Sequence, residues 1–329
     1  MLDFLVDGFG RRISYVRLSV TDRCDFRCRY CMGEEMTFLP SEQLLSFGEI
    51  ETLVDLLVGR GVTKLRLTGG EPLVRRGILD LVARLGRRIG RGLEELTLTT
   101  NGSQLAGAAE RLFASGVRRV NVSLDSLDAG KFAHITRRGR LDRVLAGIAA
   151  AKAAGLRVKI NMVALKGLNE DAIEPMLRWC AGEGFDLTLI ETMPLGEVEE
   201  ERTAHYLPLD RVKEELETRY RLVPSLARSG GPARYFDIAE LGVRLGLITP
   251  ISDNFCAGCN RIRVTATGTV YGCLGHDQKV ELRGLLRTGD VGGAEAALDM
   301  LIAGKPQRHR FDIAAATPAV ERHMSVTGG

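Results

Sequence analysis

The chain has 329 residues, of which 45% are hydrophobic and 26% are charged. This composition is typical of a globular protein with a sizeable core, so a disordered or fibrous chain is excluded. The formal net charge of +3 is too small to indicate nucleic-acid binding by itself. The chain opens without a secretory signal and contains no apolar run of roughly 18 residues or more, which predicts a cytoplasmic protein with no membrane span.

Residues 13–193 alternate short β-like runs with helical stretches. The predicted strands, in chain order, cover residues 14–20, 64–68, 95–99, 119–123, 157–163 and 186–191. The helices predicted between them cover residues 41–59, 75–89, 104–115, 141–154 and 170–182. Strict alternation of β and α units implies a parallel sheet with crossover helices. The pattern predicts an α/β fold, a partial (β/α)6 TIM-like barrel, with a doubly wound sheet as the alternative.

The predicted strands are polar on one face and apolar on the other, whereas strands buried on both faces are usually apolar throughout. In the second strand, for example, Lys64 and Arg66 alternate with Leu65 and Leu67. A barrel interior lined by the polar faces would bury unpaired cations at roughly several kcal/mol each. The pattern therefore predicts an anionic ligand in the interior, with the solvated ends of an open sheet as the alternative. The cations on these faces are Arg17, Lys64, Arg66 and Lys159.

The alternation of strands and helices ends after residue 191. The sequence then predicts a loop over 193–202, a helix over 209–220 and a Gly/Ser-rich joint at 229–232. Short β-like runs are predicted from residue 233 onward. The predicted organisation is a barrel over residues 1–195 and a C-terminal region over residues 196–329.

Six of the seven cysteines fall into two groups of three, which indicates metal binding rather than disulfide bonds. The first group follows the first predicted strand, at the barrel end where active sites form. Three such closely spaced thiolates can hold three irons of a [4Fe–4S] cluster and leave the fourth iron open. Structural zinc normally takes four closed ligands, so it fits this group poorly. The group consists of Cys24, Cys28 and Cys31.

The second group, Cys256, Cys259 and Cys273, also offers three thiolates. One interpretation is a zinc site completed by His276. The other is a second [4Fe–4S] cluster with one iron open to a substrate. Arg261 and Arg263 follow directly and place two more cations beside this site. Cys180 stands alone in a helical pattern and is predicted to be a core residue.

These motifs resemble the signature of the radical-SAM superfamily. The resemblance rests on the C-x3-C-x2-C spacing, with Tyr30 just before the last cysteine, and on the Gly-Gly-Glu-Pro segment at 69–72. Within this superfamily the chain is similar to the molybdenum-cofactor biosynthesis protein A family, the GTP 3′,8-cyclases, from about residue 9 onward. The most specific feature is the C-terminal C-x2-C-N-R-x-R with its late third cysteine. The Gly328-Gly329 tail resembles a family tail thought to reach into the active site.

The resemblance implies cyclisation of GTP to (8S)-3′,8-cyclo-7,8-dihydroguanosine 5′-triphosphate, the first step of molybdopterin cofactor biosynthesis. The implied cofactors are S-adenosyl-L-methionine (SAM), a [4Fe–4S] cluster on the first cysteine group and a second [4Fe–4S] cluster on the second group. The positions that match SAM contacts are Tyr30, Gly70, Ser123 and Met193. Lys64 shares a strand face with the GTP contacts, and Arg17 is also the candidate catalytic residue. The positions that match GTP contacts are Arg17, Arg66, Thr99, Lys159, Arg261, Ile262 and Arg263.

Thr188 departs from the family, which usually has arginine there, so a contact near SAM must be replaced or missing. The implied partners are an electron donor, the downstream cyclic pyranopterin monophosphate synthase and a second copy of the chain in a homodimer. Neither a nucleic acid nor a membrane is expected as a partner. The alternative functions are a radical-SAM peptide maturase with an auxiliary cluster and a zinc-binding nucleic-acid module.

Overall fold

The computed structural model describes residues 4–196, 204–227, 229–315 and 318–328. Their strands form one continuous twelve-stranded sheet. Six of these strands pair in parallel in chain order, which confirms the predicted α/β fold and partial (β/α)6 barrel. They are β1 (Tyr15–Ser19), β2 (Lys64–Thr68), β3 (Glu95–Thr100), β4 (Arg119–Ser123), β5 (Arg157–Ala164) and β6 (Asp186–Glu191).

Helices cover the outer, apolar face of the parallel strands. They are α1 (Phe47–Gly59), α2 (Ile78–Gly86), α3 (Ala109–Ala114), α4 (Ala129–Thr136), α5 (Leu141–Ala153) and α6 (Ile173–Glu183). α1 begins at a capping box, in which the Ser46 hydroxyl accepts from the Glu49 N–H and the Glu49 carboxylate accepts from the Ser46 N–H. Its apolar residues Leu53 and Leu57 are buried in the same core as Leu65 of β2. The short helix α4 was not predicted.

The C-terminal region continues the same sheet at both edges. β9 (Val243–Ile248) pairs in parallel with β6, and β8 (Arg234–Ile238) and β7 (Leu222–Pro224) follow it in antiparallel order. At the other edge β10 (Arg261–Val264) pairs in parallel with β1. The remaining elements are α7 (Leu209–Glu217), β11 (Thr269–Tyr271), β12 (Lys279–Glu281), α8 (Arg283–Thr288), α9 (Val291–Ala303) and α10 (Met324–Thr327).

Glu191, at the end of β6, ties the barrel to the C-terminal region. Its side chain is 1% exposed. One carboxylate oxygen accepts from the Leu209 N–H (3.1 Å) at the start of α7, and the other accepts from the N–H groups of Ile251 (2.9 Å) and Ser252 (3.2 Å). The division at residue 195 therefore stays a prediction, because strand pairing and hydrogen bonds both cross it. No helix in the described ranges has the length and apolar character that crossing a bilayer requires.

Candidate active site

One cavity lies at the carboxyl ends of the parallel strands, as expected for a β/α barrel. It brings the first cysteine group together with all the predicted SAM contacts. Burial raises the pKa of Cys24 to about 12 and that of Cys31 to about 11. Such thiols stay protonated near neutral pH unless a bound metal displaces the proton, and the three lie together so that each could ligate one iron. The predicted site residues that line this cavity are Cys24, Cys28, Cys31, Tyr30, Gly70, Ser123 and Met193.

Gly70 is held by the loop that carries the first cysteines. Its N–H donates to the Thr21 carbonyl (2.9 Å), and the Glu71 N–H donates to the Arg23 carbonyl (2.8 Å). A Cβ atom on Gly70 would lie only 2.4 Å from the Arg23 oxygen. Glycine is therefore required here for the close approach of two loops, in addition to the approach of a ligand that the sequence predicts.

Tyr30 reaches the cavity with its hydroxyl already engaged. The hydroxyl donates to the Asp125 carboxylate (2.8 Å), which also accepts from the Val163 N–H (2.9 Å). Burial raises the pKa of Asp125 to about 6. The hydrogen bond to Asp125 therefore fixes the orientation of the Tyr30 side chain in the wall of the cavity.

A second cavity adjoins the first and shares four wall residues with it, Asn161, Ile190, Met193 and Met324. The second cysteine group and five of the predicted GTP-binding cations line it together. A group bound in one cavity therefore lies next to a group bound in the other. The five cations are Arg17, Arg66, Lys159, Arg261 and Arg263.

Strand register explains why these cations gather. Arg17 of β1 lies directly beside Arg66 of β2 on one side and Arg263 of β10 on the other. Neighbouring strands are about 4.8 Å apart, so the three residues form a row across the sheet. Burial, with Arg66 and Arg261 nearby, lowers the pKa of Arg17 to about 10. Burial and the charge of Arg66 lower the pKa of Lys159 to about 7. Such a concentration of positive charge fits a polyanion such as a triphosphate.

Lys64 departs from the prediction of an unpaired interior cation. Its ammonium forms an ion pair with Glu95 (2.6 Å) and donates to the Ser229 carbonyl (2.5 Å). It lines a cavity at the amino ends of the strands rather than the cation-lined one. Strand alternation places Glu95 on the same face of β3 as Thr97, but only the register of β2 and β3 sets it beside Lys64.

Three other predicted positions take roles that the sequence pattern alone did not define. Ile262 borders the second cavity, but its side chain is 1% exposed and belongs to the hydrophobic core, on the face of β10 opposite Arg261 and Arg263. Thr99 lines the first cavity and accepts from Arg66 (3.2 Å). Thr188 is fully buried beside Gly246 and is absent from the linings of both cavities.

Cations from distant parts of the chain surround the second cysteine group. Arg11 donates to the Cys256 carbonyl (2.9 Å), and Arg322 donates to the Cys273 carbonyl (3.3 Å). Lys305 lies 3.7 Å from the Cys259 sulfur. Burial alone would raise the pKa of Cys259, but Arg261 and Lys305 lower it. These cations favour the thiolate form of Cys259, whereas burial raises the pKa of Cys273. The positive charges suit an anionic, thiolate-ligated group.

The zinc interpretation of the second cysteine group fits the geometry less well. His276, its fourth ligand, lies 2.9 Å from the Arg308 carbonyl through Nε2 and is absent from the lining of the second cavity. Across the described ranges, no three His, Cys, Asp or Glu side chains converge on a position for a single ion. Zinc needs all its sulfurs about 2.3 Å from one centre, whereas each thiolate of a [4Fe–4S] cluster binds a different iron.

Several residues that line the second cavity were not predicted. Tyr15 lies on the same face of β1 as Arg17, and strand alternation could have identified it. Burial would raise the pKa of Tyr15, but Arg66, Arg17 and other cations lower it to about 8. The tail also reaches the site, since the Gly328 carbonyl accepts from Arg263. Gly329 lies outside the described residues.

Comparison with known proteins identifies the family of the chain. A family model for the radical SAM superfamily matches residues 18–180, and one described as Molybdenum Cofactor Synthesis C matches residues 185–311. The GTP 3′,8-cyclase of Erythrobacter litoralis (strain HTCC2594) is 58% identical over 327 residues, covering 99% of this chain and 98% of the relative. The chain belongs to the GTP 3′,8-cyclase family. The GTP 3′,8-cyclase of Agrobacterium fabrum (strain C58 / ATCC 33970) is 56% identical over 329 residues, covering 99% and 94%.

The fold of this family member is also found in a distant solved structure. Streptococcus suis SuiB bound to S-adenosylmethionine matches with a TM-score of 0.61 and 16% identity, over 96% of this chain and 78% of SuiB. At this identity the likeness supports the fold alone. Membership of the radical SAM superfamily implies SAM and one [4Fe–4S] cluster as cofactors.

Proposed function

We propose that this chain converts GTP to (8S)-3′,8-cyclo-7,8-dihydroguanosine 5′-triphosphate, the first step of molybdenum cofactor biosynthesis. The observation that carries the proposal is the shared wall between two cavities. The first cavity is lined by the first cysteine group. The second cavity is lined by five cations whose concentrated positive charge suits a triphosphate. Radical chemistry started in the first cavity would therefore act on a nucleotide held in the second.

The first cavity would hold the cofactors of the reaction. Cys24, Cys28 and Cys31 would ligate one [4Fe–4S] cluster, and Tyr30, Gly70, Ser123 and Met193 would border SAM. When bound, the cluster and SAM supply the one-electron bond cleavage that starts radical chemistry. The protein orients both and excludes water, with Asp125 fixing Tyr30 and the Thr21 and Arg23 carbonyls fixing the glycine loop.

The second cavity would bind and orient GTP. The cations Arg17, Arg66, Lys159, Arg261 and Arg263 would contact the triphosphate, because guanidinium and ammonium groups are the usual phosphate donors. Thr99 and the main chain of Ile262 would border the nucleotide. Lys64, neutralised by Glu95, would hold the 229–233 segment over the site rather than bind phosphate directly. Arg17 would be the catalytic residue, positioning the reacting sugar and base or supplying a proton.

Cys256, Cys259 and Cys273 would hold a second [4Fe–4S] cluster with one iron open to the guanine. The cations around this group support an anionic occupant. The reaction would further need an electron donor, and its product would pass to cyclic pyranopterin monophosphate synthase. A cytoplasmic location suits cysteines that are all unpaired. In this proposal the chain forms a homodimer and binds neither a nucleic acid nor a membrane.

The test is anaerobic incubation of the reconstituted protein with SAM, dithionite and GTP, followed by mass spectrometry. We expect 5′-deoxyadenosine and a cyclised isomer of GTP, both dependent on GTP. Arg66→Met should lose the cyclised product while the protein keeps its iron, because Arg66 lies in the cation row and its guanidinium donates to Thr99. If SAM is cleaved but GTP is unchanged, the cyclase proposal is wrong and a peptide substrate becomes the better hypothesis.

A further inference from the structure

Lys305 is a buried cation beside the second cysteine group, and the proposed function gives it no role of its own in the reaction. Its side chain is only 2% exposed and is among the largest fully buried side chains of the protein. Its ammonium donates to the Gly272 carbonyl (2.6 Å) and lies 3.7 Å from the Cys259 sulfur. In the part of the chain that the structure describes, no carboxylate forms an ion pair with Lys305.

Burial of a charged ammonium is unfavourable unless an opposite charge compensates it. The Cys259 sulfur, 3.7 Å from the Lys305 ammonium, can become negative as a thiolate. A thiolate-ligated iron–sulfur cluster would supply the missing negative charge at this place. The burial of Lys305 is therefore explained by an anion bound to the second cysteine group.

Lys305 differs from the other cations around this group in the atom that it faces. Arg11 and Arg322 donate to main-chain carbonyls of the cysteine residues. The Lys305 ammonium instead faces a sulfur, and its second contact is the carbonyl of the residue before Cys273. The Lys305 side chain thus contacts both segments that carry the second cysteine group, the one with Cys259 and the one with Cys273.

We propose that Lys305 is a positioning residue of the second cluster, which donates a charge-assisted hydrogen bond to the Cys259 thiolate and raises the reduction potential of that cluster. This inference rests on the second cluster of the proposed function. Reduction adds negative charge to the cluster, and a fixed ammonium beside a ligating sulfur stabilises the reduced form more than the oxidised form. The second cluster therefore accepts an electron more easily than it would without Lys305.

The test compares three variants of the full chain, all reconstituted anaerobically. Lys305→Met removes the charge and the donor at nearly constant side-chain volume, and Lys305→Arg keeps the charge. Lys279→Met is the matched control, because Lys279 is an exposed lysine of the same region whose partner is Glu281 (3.7 Å). Iron and sulfide content are measured first. A redox titration followed by electron paramagnetic resonance then gives the potential of the second cluster. A further variant, in which Cys24→Ala, Cys28→Ala and Cys31→Ala are combined, lacks the ligands of the first cluster. The same titration of this variant identifies the signal of the second cluster.

We expect Lys305→Met to keep about eight irons per chain and to shift the second cluster to a more negative potential. Lys279→Met should have the potential of the unmodified protein. Lys305→Arg, which keeps the charge, should have a potential close to that of the unmodified protein. Loss of about half the iron in Lys305→Met but not in Lys305→Arg would also support the role of the charge. An unchanged potential in fully loaded Lys305→Met would overturn the proposal, as would loss of the second cluster in both Lys305 variants. About four irons in the unmodified protein would instead refute the second cluster itself.

Discussion

The Lys159 ammonium donates to the Tyr235 hydroxyl (2.5 Å) at the side of the second cavity. Its pKa of about 7 results first from burial and then from the positive charges of Arg66 and Arg119. This lysine is therefore only partly charged near neutral pH while the cavity is free of an anion. A triphosphate would favour the charged form, so binding and protonation are coupled at this side chain.

We expect GTP to bind with proton uptake, and its affinity to fall as the pH rises through about 7. The sign follows because the free protein loses the Lys159 proton above that pH, and binding must restore it. Lys159→Met should weaken GTP binding about 10- to 100-fold, as expected for a lost charge-assisted contact, and should reduce the pH dependence. Titration calorimetry in buffers with different ionisation heats measures both effects. SAM affinity serves as the control, and equal loss of SAM binding would contradict the assignment.

Gly70→Ala tests whether the contact between the glycine loop and the first cysteine loop is essential. The new Cβ would lie 2.4 Å from the Arg23 carbonyl oxygen, so one loop must move. We expect a loss of about 1–3 kcal/mol in unfolding free energy, together with weaker SAM binding and loss of iron from the first site. Gly107→Ala is the control, because no heavy atom lies within 4 Å of a Cβ there. Normal iron content in Gly70→Ala would show that the loops can separate without consequence.

Much of the site was predictable because side chains along a strand alternate between its two faces, so a short stretch of sequence shows which residues share a face. Arg17 and Arg66 were identified in this way, and the register of β1 and β2 places them side by side. The partner of Lys64 was missed because Glu95 belongs to another strand, and the pairing between strands is not visible in one sequence. Lys305 was missed because 46 residues separate it from Cys259, and a contact between loop residues so far apart is not visible in one sequence.

Helices that depend on contacts with distant parts of the chain were also hard to predict from the sequence. The strands of the barrel were predicted almost to the residue, because each alternates polar and apolar side chains. α9 was missed although Asp290 caps it by accepting from the Gly293 N–H (2.8 Å). Gly292 and Gly293 lower the helix propensity of its first turn. Burial of Leu298 and Leu301 stabilises the helix, and that burial depends on distant parts of the chain.

Glu191→Ala tests the link between β6, α7 and the segment after β9. The substitution leaves the buried N–H group of Leu209 and the partly buried N–H groups of Ile251 and Ser252 without their acceptor. We expect a loss of about 2–4 kcal/mol in unfolding free energy, measured by urea denaturation. Glu183→Ala is the control, because Glu183 is exposed and forms only a surface ion pair with Lys152. Similar losses of unfolding free energy in the two variants would mean that the hydrogen bonds of Glu191 do not stabilise the contact between β6, α7 and the segment after β9.

The whole molecule is built around one sheet that crosses the predicted boundary at residue 195. β9 and β10 complete the two edges of the barrel by pairing with β6 and β1. An edge strand without its partner exposes unpaired N–H and C=O groups. Neither region is therefore expected to be stable without the other.

We expect the unliganded protein to unfold in one cooperative transition. The only tryptophan, Trp179, lies in α6 and reports on the barrel by its fluorescence. Hydrogen exchange of β8 and β9 reports on the C-terminal region. The two probes should give the same denaturant midpoint, because the sheet couples them. Separate midpoints would instead support two independently folding domains divided near residue 195.

The wall between the two cavities includes Met324, about 130 residues further along the chain than Glu191. During synthesis the barrel strands therefore leave the ribosome well before the segment that separates their two chambers. Until that segment arrives, the first chamber lacks part of its enclosure. We expect this interval to give a preassembled iron–sulfur cluster its widest route to Cys24, Cys28 and Cys31. The order of the elements along the chain thus allows the iron–sulfur cluster to enter before the reaction chamber is sealed.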